Sequence, residues 1–190
     1  MNADKTKLAI SLSFQKLLEE KPFQKITISD ISQGCGISRM TFYYHFSDIY
    51  TLLDWIFTND ISSSFAKAAK EERWQDGIGV LLNSILQHRK MLVNVLHSTG
   101  RDQVVALFDR NLEHIIYNYV KQESRGRRIS EEDLTFITHF YKYAFNGTIL
   151  DWIDRGFPVS AGDLRKDLEI LMNNNINDDI NDFLDARMRK

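Results

Sequence analysis

The stretch from Thr27 to Phe57 constrains the fold of this chain more than any other part of its sequence. It contains two short helical patterns, a turn at Gly36 and then a longer helical pattern. Thr27 and Asp30 have the spacing of a capping box, which satisfies the first free amides of a helix. Gly36 can adopt a left-handed conformation without steric strain, so the chain can turn sharply there. Ser38 can cap the second short helix, and two short helices joined by such a turn are typical of a helix-turn-helix unit.

The second short helix, at residues 38–45, is the expected reading element, because the second helix of such a unit normally enters the DNA major groove. Arg39 can donate two hydrogen bonds to a guanine, and Met40 or Thr41 can contact a thymine methyl group. The residues with the spacing of a small three-helix core are Ile28, Ile31, Cys35, Ile37, Phe42 and Phe46. Cys35 is therefore predicted to be a small buried side chain and not a reactive thiol.

The sequence G-I-S-R-M-T-F-Y-Y-H-F at residues 36–46, followed by an acidic-polar pair and Leu-Leu, resembles the DNA-binding domain of TetR/AcrR-type transcriptional regulators. The run YTLLDWIFTND at residues 50–60 also resembles a subgroup of regulators linked to dihydroxyacetone-kinase operons. The resemblance implies a sequence-specific dimeric repressor modulated by a small molecule, with an activator, co-activator or partner-dependent interaction protein as the alternative. The residues expected to contact DNA are Thr27, Ser29, Ser38, Arg39, Met40, Thr41, Tyr43, Tyr44 and His45. Tyr44 can instead lean on the first helix.

Two features reduce the expected attraction to DNA phosphates. In the family a lysine often stands near the start of the helix after the reading element, whereas this chain has Ile49 beside Asp48. Tyr50 can replace that contact in part. Residues 1–50 carry six Lys or Arg and five acidic residues, so their net charge is only +1. Phosphate contacts are therefore expected to come from helix N-termini, hydroxyl groups and a few lysines.

Composition and length favour an all-α protein. The 190 residues include 2 Pro and 9 Gly, and the alternation typical of strands is scarce. We predict a three-helix helix-turn-helix domain at residues 1–47 and a helical ligand-binding and dimerisation domain at residues 48–190, with about nine helices in total. The single cysteine fits a reducing cytoplasm. We find neither an apolar run that would span a bilayer nor the pattern of a signal peptide, so a cytoplasmic location is expected.

The carboxy-terminal helices are predicted to form a dimer face. Ser130 can cap a helix at residues 131–154 that is apolar on almost every side and therefore needs cover on more than one side. A last helix from Ser160 to Leu184 has an apolar stripe. The resemblance implies that these two helices pair with their copies, so we predict a symmetric homodimer on a roughly palindromic operator in double-stranded DNA. The residues assigned to this interface are Phe145, Ile149, Trp152, Leu168, Leu171, Met172 and Ile176.

A small-molecule effector is expected between the helices of the body, by the same resemblance. Such a site needs aromatic walls and a few polar groups, and the residues assigned to it are Trp55, Trp74, Phe108, His114, His139, Tyr143 and Asn146. For each of them the alternative is an ordinary place in the aromatic core. The histidines of the body lack metal-ligand spacing and no catalytic motif is present, so neither a metal or other cofactor nor an enzymatic activity is expected.

Overall fold

The computed structural model describes residues 3–61, 66, 67, 70, 74–173 and 176–188, and within these ranges the chain forms helices and no strands. The prediction of an all-α fold is confirmed. A 3-10 turn at Phe23–Lys25 and a π-helical turn at Phe57–Ile61 accompany the α-helices. The α-helices are α1 (Ala3–Glu20), α2 (Ile28–Gly34), α3 (Arg39–His45), α4 (Ile49–Ile56), α5 (Trp74–Gln87), α6 (Arg89–Leu96), α7 (Arg101–Glu123), α8 (Glu131–Asp154), α9 (Ala161–Asn173) and α10 (Ile176–Met188).

The segment predicted as one last helix, from Ser160 to Leu184, contains α9 (Ala161–Asn173) and α10 (Ile176–Met188). Residues 174 and 175 lie outside the described ranges. In the part of the chain that the structure describes, no helix has the length and apolar character needed to cross a membrane.

The first two helices of the helix-turn-helix begin at the predicted caps. The hydroxyl of Thr27 accepts the N–H of Asp30 at 3.2 Å, and the Asp30 carboxylate accepts the N–H of Thr27 at 2.8 Å. This reciprocal pair is the expected capping box of α2. For α3, the hydroxyl of Ser38 accepts the N–H of Thr41 at 3.0 Å. Local sequence alone therefore determines where both helices start.

Helix α4 begins at an acidic cap. Asp48, and not Ser47, is the N-cap, because its carboxylate accepts the N–H of Thr51 at 2.7 Å. The Ser47 hydroxyl instead lies 2.7 Å from the hydroxyl of Thr51. A carboxylate at a helix N-terminus interacts favourably with the helix dipole, which a neutral hydroxyl does less well.

The helix-turn-helix belongs to the first of two compact units, which comprises Met1–Ser63 and Ile85–Leu107. Gly34 at the end of α2 lies against Ser13 of α1 with no room for a Cβ atom. The Ser13 hydroxyl donates to the carbonyl oxygen of Ile31 at 2.9 Å. This close approach fixes α2 on α1. The buried side chains of the unit include Ile10, Phe14, Ile31, Phe42, Leu52, Leu53 and Leu92.

The second compact unit, Ser64–Ser84 and Phe108–Lys190, contains the long helix α8. Phe136 of α8 stacks on Phe183 of α10, with ring centroids 5.5 Å apart, and Asp133 pairs with Arg187 at 3.2 Å. The apolar side chains that α8 buries are Leu134, Ile137, Tyr141, Phe145, Ile149, Trp152 and Ile153. Buried residues on several sides of α8 agree with its predicted need for cover on more than one side.

Candidate DNA-binding interface

The turn between α2 and α3 brings α3 to the surface. Gly36 has a positive φ of 68°, and the N–H of the next residue, Ile37, donates to the carbonyl oxygen of Ser32 at 3.0 Å. A Cβ atom on Gly36 would meet nothing within 4 Å, so the backbone conformation and not crowding favours glycine there. Phe42 is completely buried and packs on Phe46, with ring centroids 5.9 Å apart. This one side chain anchors α3 to the core.

Exposed side chains form a strip along the outer side of α3. Each residue advances about 100° around a helix, so Met40 and Tyr44 lie opposite the buried Phe42. They are 79% and 83% exposed, which leaves little of the Tyr44 ring to lean on α1. Arg39 and Tyr43, one turn apart on an adjacent flank, are exposed as well. We call Arg39, Met40, Tyr43 and Tyr44 the reading strip.

The opposite flank of α3 borders a concavity beside α1. Thr41 and His45 are half-buried there, and the Thr41 hydroxyl lies 2.9 Å from that of Ser38. Thr6, a buried threonine of α1, lines the concavity as well and was not predicted. The signal available in the sequence was a polar residue one turn before core positions of α1. Hydroxyl groups and an imidazole are typical contacts of the sugar-phosphate backbone. The concavity has a volume of about 480 Å³ and is lined by Thr6, Gly36, Ile37, Ser38, Thr41, Tyr44 and His45.

Carboxylates occupy the starts of α2 and α4, but not the start of α3. The Lys21 ammonium, 2.8 Å away, and the N–H of Thr27 lower the pKa of Asp30 to about 2. The N–H groups that Asp48 accepts lower its pKa as well. A helix start that already holds a carboxylate does not attract a phosphate. The start of α4 therefore lacks the lysine that is common in the family, because Ile49 stands there. It also lacks a free N-terminus, because the Asp48 carboxylate already occupies it.

Three further residues of the head, Thr27, Tyr50 and Cys35, have structural partners of their own. Thr27 and Ser29 are exposed at the start of α2, and the Thr27 hydroxyl is engaged in the capping box. The hydroxyl of Tyr50 lies 2.8 Å from that of Thr99. Cys35 is half-buried, its thiol donates to a main-chain carbonyl of α2 at 3.2 Å, and burial raises its pKa. A protonated thiol is a poor nucleophile.

A buried lysine that sequence analysis missed lies on α8. The Lys142 side chain is 3% exposed, and its ammonium lies 3.1 Å from Asp109 and 3.0 Å from Glu113 of α7. Burial disfavours its charge, but the two carboxylates outweigh burial and raise the pKa of Lys142, while Lys142 lowers the pKa of Glu113. Two residues predicted for the effector site adjoin this cluster: His139 lies 3.7 Å from Glu113, and the Tyr143 ring centre lies 4.5 Å from the ammonium.

Lys142 lies in a buried polar row on α8. Thr138 and Asn146, each one turn away from Lys142, are buried, and among the described residues Thr138 Oγ1 and Asn146 Oδ1 have no hydrogen-bond partner. An unpaired buried polar atom costs about 1–3 kcal/mol, so two on one helix face are unusual. In the described ranges, no three His, Cys, Asp or Glu side chains converge as metal ligands do.

The seven residues predicted for the effector site fall in both compact units, and their common role stays a prediction. Phe108 is buried, His114 and Tyr143 are exposed, and Trp55 is half-buried in the first unit, whereas the Trp74 side chain lies outside what the structure describes. An apolar cavity of about 280 Å³ in the second unit includes none of the seven. Its lining residues are Phe136, Ile137, Phe140, Tyr141, Ile180 and Phe183.

The residues predicted for the dimer face are mostly buried within the protomer. Phe145, Ile149, Trp152 and Leu168 are buried in the chain itself, Leu171 is exposed, and the side chains of Met172 and Ile176 lie outside the described part. The exposed side of α8 instead carries Phe136, Phe140, Tyr143 and Gly147 at helical spacing. A helix that is apolar all round does not reveal from its sequence which side faces its own core.

The fold and the reading strip define a helix-turn-helix protein with a helical body, and comparison with known families agrees. Residues 15–55 match the model of bacterial regulatory proteins of the tetR family, and residues 72–174 match that of a transcriptional regulator C-terminal region. The second match alone covers more than half of the chain. This chain belongs to the TetR family of bacterial regulatory proteins. Members of that family are regulators and not enzymes, as the sequence predicted.

Curated relatives include EthR and DhaS. The chain is 31% identical to the transcriptional regulator EthR of Mycobacterium tuberculosis over 98 residues, which cover 46% of this chain and 45% of EthR. It is 28% identical to DhaS, the dhaKLM operon transcriptional activator of Lactococcus lactis, over 109 residues, which cover 57% of this chain and 53% of DhaS. The chain therefore aligns with about half the length of these relatives. The resemblance to regulators of dihydroxyacetone-kinase operons is confirmed as a similarity to DhaS.

Two solved structures share the fold over most of the chain. A TetR transcriptional regulator from Streptococcus agalactiae has a TM-score of 0.65 at 25% identity, over 86% of this chain and 91% of that one. The dihydroxyacetone kinase operon activator DhaS has a TM-score of 0.63 at 22% identity, over 97% of this chain and 96% of that one. At that identity the second likeness supports the fold alone.

Proposed function

We propose that this chain is a sequence-specific DNA-binding repressor that acts as a homodimer. The reading strip on α3 is the observation that carries the proposal, because α3 starts with a neutral serine cap and contains no acidic residue. The strip offers a guanidinium group for guanine, a thioether for thymine methyl groups and phenol hydroxyls for phosphates. Two strips in a symmetric dimer fit a roughly palindromic operator whose half-sites lie about 34–36 Å apart, one helical turn.

Exposed apolar surfaces of the second unit support dimerisation. Phe140 and Tyr143 project from α8, and a Cβ atom on Gly147, the next residue along this face, would meet nothing within 4 Å. Ile170 and Leu171 are exposed on α9. Contiguous exposed apolar surface usually marks an interface. A second copy of the chain is the proposed partner, and the small Gly147 would allow the two α8 helices to approach closely.

A small polar molecule bound in the second unit is the proposed effector. The buried polar row supports it, because Asn146 Oδ1 needs a hydrogen-bond donor and Thr138 Oγ1 has no partner among the described residues. A ligand with hydroxyl or amine groups would satisfy both atoms. Binding of such a ligand and of DNA must weaken each other equally, if the ligand releases the operator. Native mass spectrometry of the purified protein would detect a retained ligand as added mass that denaturation removes.

A second candidate function is transcriptional activation. It is favoured by the similarity to DhaS, which is named an operon activator. The small positive charge of residues 1–50 and the isoleucine at position 49 also favour a protein that needs a partner for tight binding. Transcription in vitro from a template carrying the selected operator separates the two functions, because a repressor lowers the transcript level and an activator raises it.

Selection of DNA from a random pool tests the proposed function. At low salt the wild-type dimer should enrich a palindrome, and Arg39→Ala should relax the preference at one base pair of each half-site by about 1–3 kcal/mol. Tyr43→Ala should weaken all sites together, because its expected contact is the backbone. Lys90→Ala, on the exposed side of α6, is the control and should change neither the base preference nor the overall affinity. A folded, dimeric protein that enriches no sequence would exclude a sequence-specific regulator.

A further inference from the structure

Asn94 of α6 joins three main-chain groups from a distant part of the first unit. Its Oδ1 accepts the N–H of Phe23 at 2.8 Å. Its Nδ2 donates to the carbonyl oxygens of Leu18 at 2.8 Å and Lys21 at 2.9 Å. Asn94 is more than 70 residues away from these partners in sequence. The Asn94 amide therefore makes three hydrogen bonds to the end of α1 and the linker that follows it: its oxygen accepts one and its nitrogen donates two.

These partners are groups that a helix end leaves unsatisfied. The last carbonyls of a helix have no intrahelical N–H to accept, and here the side chain of another helix supplies two donors. The segment that follows, Phe23–Lys25, is a single 3-10 turn whose first N–H is held by the same amide. Asn94 thus caps α1 from outside and fixes the direction in which the chain leaves it.

A continuous series of contacts runs from this amide to the helix-turn-helix. The Lys21 carbonyl is held by Asn94, and the Lys21 ammonium lies 2.8 Å from the Asp30 carboxylate. Asp30 closes the capping box with Thr27 that starts α2. The next residues of the linker make a second contact with the end of α6, where Gln24 donates to a main-chain carbonyl at 3.3 Å. The linker that Asn94 holds therefore acts together with the contact between Gly34 and Ser13 to place α2 and, through the Gly36 turn, α3.

We propose that Asn94 is a positioning residue for operator binding: its amide sets the α1–α2 linker and thereby the placement of the reading strip. The proposal rests on the proposed DNA-binding function. An amide is required because the site needs one acceptor and two donated bonds at once. An aspartate keeps the acceptor for Phe23 but sets a charged oxygen against two carbonyl oxygens, and alanine removes all three bonds.

DNA binding by Asn94→Ala and Asn94→Asp tests the proposal, with the wild-type dimer and the operator selected above. Both variants should bind the operator roughly tenfold more weakly, the scale of one or two net hydrogen bonds. Their affinity for unrelated DNA and the dependence of log K on log salt should stay as in the wild type, since no phosphate contact is lost. Asn94→Ser, which keeps a small polar side chain and adds no charge, serves where neither of these variants folds.

Val95→Ala is the matched control for stability. Val95 is the next residue of α6 and is fully buried, so its truncation lowers the urea midpoint without touching the linker. Operator binding by folded Val95→Ala should stay at the wild-type level. Unchanged operator affinity in both Asn94 variants, or an equal fall for operator and unrelated DNA, would overturn the positioning role. If the wild-type chain selects no operator, the regulator proposal fails and this role fails with it.

Discussion

Replacing Phe140 by lysine tests the proposed dimer surface on α8. In the protomer the Phe140 side chain is 63% exposed. A phenylalanine offers about 200 Å² of surface, so about 125 Å² is available for burial by a second copy. At about 25 cal/mol per Å² this burial contributes about 3 kcal/mol for each protomer. A symmetric interface uses the residue twice, so complete burial contributes about 6 kcal/mol to the dimer.

We expect Phe140→Lys to lose about half of this free energy of dimerisation, because association also immobilises side chains and seldom buries them completely. A loss of about 3 kcal/mol raises the dimer Kd about 150-fold. Sedimentation equilibrium across nanomolar to micromolar concentrations measures this change. The matched control is Leu12→Lys, which introduces the same charge at a leucine of α1 that is 58% exposed. The assignment of this surface would be refuted if Phe140→Lys had the dimer Kd of the wild type, or if Leu12→Lys raised the dimer Kd as much as Phe140→Lys does.

Two further predictions concern charged groups. Because its partners lower the pKa of Asp30 to about 2, ionised Asp30 stabilises the fold above about pH 4, and this contribution is lost as the pH falls through about 2. The Tm difference between wild type and Asp30→Asn should thus be constant near neutrality and shrink progressively below about pH 4, through about pH 2; a difference that does not shrink over this range contradicts the linkage. Lys142→Met should change the free energy of unfolding by less than about 1 kcal/mol, because the half-exposed Asp109 and Glu113 regain water. The double variant Asp109→Ala, Glu113→Ala should lower the free energy of unfolding in urea by about 3 kcal/mol, because it leaves the Lys142 ammonium buried without a partner. Equal losses in Lys142→Met and in the double variant would contradict this prediction.

Local signals explain what the sequence could predict. Helix α8 spans the predicted residues 131–154 because Ser130 accepts the N–H of Asp133 at its start, and Gly156, with a φ of 72°, follows its end. The same holds for the turn at Gly36 and the start of α3. These features depend on neighbouring residues along the chain, which a sequence displays directly.

Long-range packing explains what the sequence could not predict. Nothing in the spacing of α8 distinguishes Phe145, which is buried in the protomer, from Phe140, which is exposed. The burial of Lys142 depends on carboxylates from α7, about one helix earlier in the chain. Asn94 gives no local signal, because its partners are more than 70 residues away. In each case the decisive contact joins segments that are far apart in sequence.

The π-helical turn at Phe57–Ile61 changes the number of residues per turn directly after α4. A π turn holds one residue more than an α-helical turn, and one residue corresponds to about 100° about a helix axis. Because the turn itself takes up the additional residue, a difference of one residue in length between related chains at this point is accommodated locally. A helical wheel drawn at about 100° per residue from α4 across Phe57–Ile61 ignores that residue, and by the end of the turn it is wrong by about 100°.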